Sequence, residues 1–108
     1  MNDDMSKRTR VLTDRAMETG DIAMLTKAQA SAVVDIEKIA RSGHDAMRAF
    51  ADRFGLPTDP QTRRNFQEMR DQHEYVLRSV ERTREMLGNA WPLTPAEEAD
   101  DEADAYTP

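Results

Sequence analysis

Residues 66–87 read FQEMRDQHEYVLRSVERTREML. Within them Phe66, Met69, His73, Val76, Val80, Thr83 and Leu87 recur at alternating steps of three and four. That spacing predicts a helix with one apolar seam packed against another helix. Upstream, Asp59-Pro60 is a helix start: the Asp59 carboxylate can accept from free first-turn amides, and Pro60 suits the first helical position. Thr58 with Gln61 is a rival capping box one residue out of register. Gly88-Asn89 is the stop.

A second helix precedes this one. Gly20-Asp21 opens it, and Ile22, Leu25, Ala32, Val33, Ile36, Ile39, Ala40, Gly43, Met47, Phe50 and Phe54 again follow a three/four pattern. Gly55 tolerates a left-handed C-cap, and Pro57 blocks continuation. Gly43, on the apolar face in mid-helix, costs about 1 kcal/mol against Ala. It implies either a close helix approach or a kink. The connection is short, so the two helices are expected to be antiparallel neighbours.

These signals place a polar N-terminal arm at 1–19, a helical hairpin at 20–88 (helix about 21–54, turn 55–59, helix about 60–87) and a proline-punctuated acidic tail at 89–108. In the arm, Val11, Leu12, Ala16 and Met17 have helix-compatible spacing; the basic cluster Lys7, Arg8 and Arg10 reads as a solvated start or a weak anion contact. The arm and tail are otherwise expected to be disordered. The expected fold class is all-α, because all five prolines follow Leu56, no β-branched run alternates over a strand length, and no Asn-Gly or Asp-Gly turn occurs.

A two-helix hairpin has no third layer, and its burial at about 25 cal/mol per Å² hardly offsets the entropy of ordering the chain. Self-association is therefore expected, most simply as a dimer completing a four-helix bundle. The expected core and oligomer interface comprises Ile36, Ile39, Met47, Phe50, Phe54, Phe66, Met69, His73, Val76, Val80 and Leu87. His73 and Thr83 are its polar members. Each must be satisfied locally or at the seam's edge; alternatively His73 acts as a pH-sensitive device.

Composition narrows the function. There is no cysteine, which excludes disulfides, thiolate metal sites and Cys nucleophiles. His44 and His73 lie on different helices, and the Glu-x-x-His spacing of di-iron bundles is absent because positions 41 and 70 are arginines. No Gly-rich phosphate loop or nucleophile elbow occurs, so no enzyme activity, cofactor or metal is expected. The net charge of -6 matches the six acids Glu97, Glu98, Asp100, Asp101, Glu102 and Asp104, so the body is close to neutral. Neither a nucleic-acid nor a membrane partner is expected. A basic second helix (Arg63, Arg64, Arg70, Arg78, Arg82, Arg84) screened by the acidic tail is the nucleic-acid alternative. MNDDMSKRTR has no apolar run behind its basic residues, and the expected setting is a bacterial cytoplasm.

The tail has two readings. Trp91 caps the bundle while the remainder solvates; or Trp91 and Leu93 anchor a short motif, with Tyr106 on the far side of the acids, that Glu97, Glu98, Asp100 and Asp101 steer to a basic protein partner. On its Asp-Pro helix start and its Gln-, Arg- and Glu-rich second arm, the stretch 54–88 resembles phasin-type granule-coating proteins. It is also similar to the helical-hairpin subunits of secretion needles. No functional residue is carried over. The expected function is a non-enzymatic interaction module (adaptor, scaffold, small chaperone or inhibitor) that binds itself and a further protein. An amphipathic coat on a granule or membrane is the alternative.

Overall fold

A computed structural model describes residues 5–101. The fold is all-α: α1 (Lys7–Thr19), α2 (Ile22–Phe54), α3 (Pro60–Leu87), a 3-10 turn (Gly88–Ala90) and α4 (Pro95–Ala99), with no strand among the described residues. No helix among them is long and apolar enough to cross a membrane. The chain divides into two compact units, one formed by residues up to Ile36 together with Met86 onward, the other by Glu37–Glu85.

In the first unit α1 starts at Ser6, whose hydroxyl accepts from the Thr9 amide at 3.2 Å. It ends at Gly20, in the left-handed conformation with its N–H donated to Ala16 O at 2.8 Å. Asp21 then caps α2 by accepting from Ala23 N at 2.9 Å. Leu12 of α1 and Ala28 of α2 form one apolar centre, flanked by Val11 and Met24. Ala30 and Val34 of α2 form another with Leu93, which Trp91 covers.

The same unit holds a buried polar network of Arg8, Thr9, Ser31 and Asp35. The Arg8 side chain is 0% exposed. Its Nη2 donates to Asp35 Oδ1 at 2.9 Å and its Nε to Ser31 Oγ at 2.6 Å. Its Nη1 donates to the carbonyls of Glu98 (2.8 Å) and Glu97 (3.3 Å) at the C-terminal end of α4. Asp35 Oδ2 accepts from Thr9 Oγ1 (2.6 Å) and from the Ser6 amide (3.0 Å). A buried charge is tolerated only when paired and fully hydrogen-bonded, and Arg8 meets that condition.

Two expectations are corrected here. Arg8 is not part of a solvated start, because the α4 carbonyls and Asp35 replace its water. The arm and tail are not disordered over their described parts: the arm carries α1, and the first residues of the tail form a 3-10 turn and α4. α4 has a full capping box, with Thr94 Oγ1 accepting from Glu97 N (3.2 Å) and Glu97 Oε1 from Thr94 N (2.8 Å), and with Pro95 at its start.

The second unit contains the later half of α2, the intervening turn and most of α3. Gly55 adopts φ 81° and donates to Ala51 O at 2.8 Å, closing α2 as a left-handed cap requires. Asp59 caps α3 by accepting from both the amide and the hydroxyl of Thr62, each at 2.9 Å. The Asp59 register therefore prevails over Thr58. Glu37 pairs with Arg84 at 3.5 Å and His44 with Glu74 at 3.3 Å. As numbers rise on α2 they fall on α3, so the two segments run antiparallel.

Candidate functional site

The line along which α2 and α3 meet in the second unit is thin. Ala40 and Val80 are buried, whereas Met47, Phe66 and His73 are half-buried. At Gly43 the His73 side chain comes close to the backbone of α2: a Cβ built there would lie 2.7 Å from His73 Cε1 and 2.9 Å from His73 Nε2. This explains Gly43 as a close approach. His73 Nδ1 is enclosed without a hydrogen-bond partner, while Thr83 is satisfied locally by donating to Ser79 O at 2.9 Å.

Helix geometry sorts the remaining side chains into two flanks. Gly43 and His73 mark the contact line, and the next residue on each helix, His44 and Glu74, turns about 100° from it in the direction of the chain. Those two side chains pair, so residues following contact positions on both helices share one flank. Residues preceding contact positions share the opposite flank.

The first flank is charged. Glu37, Arg41, His44, Arg48 and Asp52 of α2 lie there with Arg70, Glu74, Glu81 and Arg84 of α3. It contains a half-open groove of about 370 Å³, floored by Met47, Leu56 and Phe66 and rimmed by His44, Arg48, Arg70 and Glu74. Ion pairs at such exposure contribute about 0–1 kcal/mol each.

The opposite flank is poor in charge. On α2 it runs through Ile39, Ser42, Ala46, Phe50 and Arg53, with Lys38, Asp45 and Ala49 bordering it and Phe54 beyond. On α3 it runs through Asn65, Met69, Gln72, Val76, Ser79 and Thr83, bordered by Glu68, Tyr75 and Arg82. Its large side chains are open to solvent: Ile39 is 50% exposed, Phe50 51%, Phe54 64% and Met69 55%. The Phe50 and Phe54 rings pack against one another at a 45° tilt with centroids 4.9 Å apart, and the Arg53 guanidinium rests over Phe54.

The expected interface residues thus occupy different places. Val80 lies inside the contact line, with Met47, Phe66, His73 and Val76 half-covered. Ile39, Phe50, Phe54 and Met69 stand open. Ile36 and Leu87 belong to the first unit and are also exposed.

The tail residues are engaged within the first unit. Leu93 is buried, Trp91 Nε1 donates to Glu98 Oε2 at 2.8 Å, Glu97 pairs with Lys27 at 3.2 Å and Asp101 with Arg8 at 3.3 Å. Asp100 is half-buried, and Tyr106 lies outside the described residues. The network residues Arg8, Thr9, Ser31 and Asp35 escape a reading based on apolar spacing. Their sequence signal is modest: Ser31 and Asp35 are polar residues four apart in a helix stretch otherwise rich in Ala and Val.

Among the described residues no group of three or more His, Asp or Glu side chains converges as a metal site would require. Comparison with protein-family models, curated proteins and solved structures finds no match to this chain.

Proposed function

We propose that the chain is a non-enzymatic helical protein-interaction module whose α2–α3 hairpin works as an oligomer. The observation that carries this reading is the charge-poor flank. Charged residues make up 33% of the chain, yet they are missing from the middle of one side of the second unit, where Ile39, Phe50 and Met69 stand open. A soluble helix pair ordinarily surrounds itself with charge, and a contiguous apolar patch rimmed by polar residues marks a contact surface. The charged flank and the tail's acidic surface are then left to meet an adaptor's or scaffold's further protein partner.

Sedimentation equilibrium over micromolar concentrations tests this reading. A reversible dimer or higher oligomer is expected, converted to folded monomer by Phe50→Glu. A well-folded monomer at every concentration would overturn it. The same flank supports a second reading, a phasin-like coat on a granule or membrane surface. Flotation with liposomes or oil droplets separates the two, because a coat protein rises with the lipid and an adaptor stays in the aqueous fraction.

A further inference from the structure

We propose that the groove on the charged flank is a binding site for a small acyl monocarboxylate, its head held between Arg48 and Arg70 and its chain lying on Met47, Leu56 and Phe66. This goes beyond the interaction reading and does not depend on it, since the charge-poor flank lies across the contact line.

The register of the two helices brings the arginines together. His44 pairs with Glu74. Four residues forward on α2 and four back on α3, Arg48 stands opposite Arg70. Like charges on one rung repel and call for a carboxylate between them. The nearby carboxylates are placed elsewhere. Glu74, four residues from Arg70, is engaged by His44 at 3.3 Å. Among the described residues Arg48 and Asp52, also four apart, form no ion pair. Asp71 comes only to 4.0 Å from Arg70 Nε, beyond hydrogen-bond distance. Arg70 Nε is enclosed and has no acceptor. An enclosed donor without a partner is costly, and a carboxylate seated on the fork of the Arg70 guanidinium supplies one.

The rest of the groove selects the ligand's body. Its volume of about 370 Å³ is at the small end of ligand sites. The His44–Glu74 pair closes one end, and Ala51, Leu56 and Phe66 lie toward the other. From His44 to Asp52 the helix rises about 12 Å, room for a chain of roughly eight carbons. The side chains of Met47, Ala51, Leu56 and Phe66 carry no N–H, O–H or oxygen. A hydrocarbon chain loses nothing there, whereas the amides of a peptide would go unpaired.

Charge sets the head. Glu74 and Asp52 stand one turn to either side of the arginine rung. A dianionic phosphate, or a chain with a second carboxylate at its far end, meets a repulsion that a monocarboxylate avoids.

Methionine-methyl NMR on the full chain tests this, with octanoate as the probe. Met47 lies on the groove floor and Met69 on the opposite flank, 55% exposed. Octanoate should shift the Met47 methyl saturably, with a dissociation constant on the order of 1 mM, and leave Met69 unmoved. Octanedioate and octyltrimethylammonium should each bind about fivefold more weakly or worse. Arg70→Gln should weaken octanoate binding about tenfold with helical circular dichroism unchanged. Arg70→Lys, which keeps the charge and loses the fork, should recover only part of that loss.

Equal shifts at Met47 and Met69, or equal binding of octanoate and octyltrimethylammonium, would mean partitioning onto any apolar surface and overturn the site. Tighter binding of N-acetyl-leucine, which carries the terminal carboxylate of a polypeptide, would overturn the choice of an acyl chain. Both comparisons use the wild-type protein and stand whether or not a variant folds.

Discussion

A methyl group at position 43 has nowhere to go. In an open helix Gly→Ala is stabilising by about 1 kcal/mol. Here the added Cβ would lie 2.7 Å from the His73 ring, which must move or be compressed. Gly43→Ala is therefore expected to destabilise the second unit by on the order of 1 kcal/mol, read from the midpoint of urea unfolding. In a His73→Ala background the same change should be stabilising. Stabilisation in both backgrounds would mean that His73 does not demand the glycine.

Asp59 makes a second residue-scale case. Hydrogen bonds from the Thr62 amide and hydroxyl favour its charged form and hold its carboxyl below the ordinary aspartate range. A carboxyl lowered on folding contributes stability that is present above its unfolded-state value and lost as pH falls through its folded-state value. The cap should thus weaken below about pH 4 and be complete at neutrality. Asp59→Asn keeps an acceptor but removes the titration, so the pH dependence of stability below pH 4 should flatten. An NMR titration placing Asp59 at or above the usual carboxylate range would contradict the cap.

At the scale of elements, the tail is the part that sequence reading misjudges. α4 is five residues long and far below the length at which helix propensity sustains itself. It is kept by its capping box, by Leu93 against Ala30 and Val34, and by the Arg8 guanidinium against its last carbonyls. Thr94-Pro95-Ala96-Glu97 is a legible start signal, but composition argues for a solvated acidic tail and outweighs it. Arg8 is less legible still. Nothing local distinguishes it from its neighbours Lys7 and Arg10, and only the return of the chain at residues 97–101 supplies its acceptors.

By contrast the ends of α2 and α3 carry local and strong signals in the caps at Asp21, Gly55 and Asp59-Pro60. Leu93→Ala should release the tail. The lost burial and the cavity together cost about 2–4 kcal/mol. Trp91, the only tryptophan, reports the release as a red-shifted, more quenchable emission. Unchanged emission would mean that Leu93 does not hold the segment.

For the whole molecule the decisive property is the uneven placement of charge, which periodicity alone conceals. The seam from Phe66 to Leu87 identifies a helix that needs company, yet the same residues divide between a contact line and an open flank only once His44 and Glu74 show which sides adjoin. Salt separates the two flanks as interaction surfaces. Each copy carries a net charge of -6, and two copies meeting through a charge-poor face gain little Coulomb attraction in return. Raising NaCl from roughly 0.05 M to 0.5 M shortens the screening length several-fold and weakens only the repulsion. Self-association should therefore strengthen slightly with salt, by less than tenfold in the dissociation constant. Association through the ion-paired flank, or of the acidic tail with a neighbour's arginines, would have the opposite sign and weaken as those charges are screened. Sedimentation equilibrium at the two salt concentrations measures that sign directly, and a marked loss of affinity at the higher one would place the interface on the charged flank.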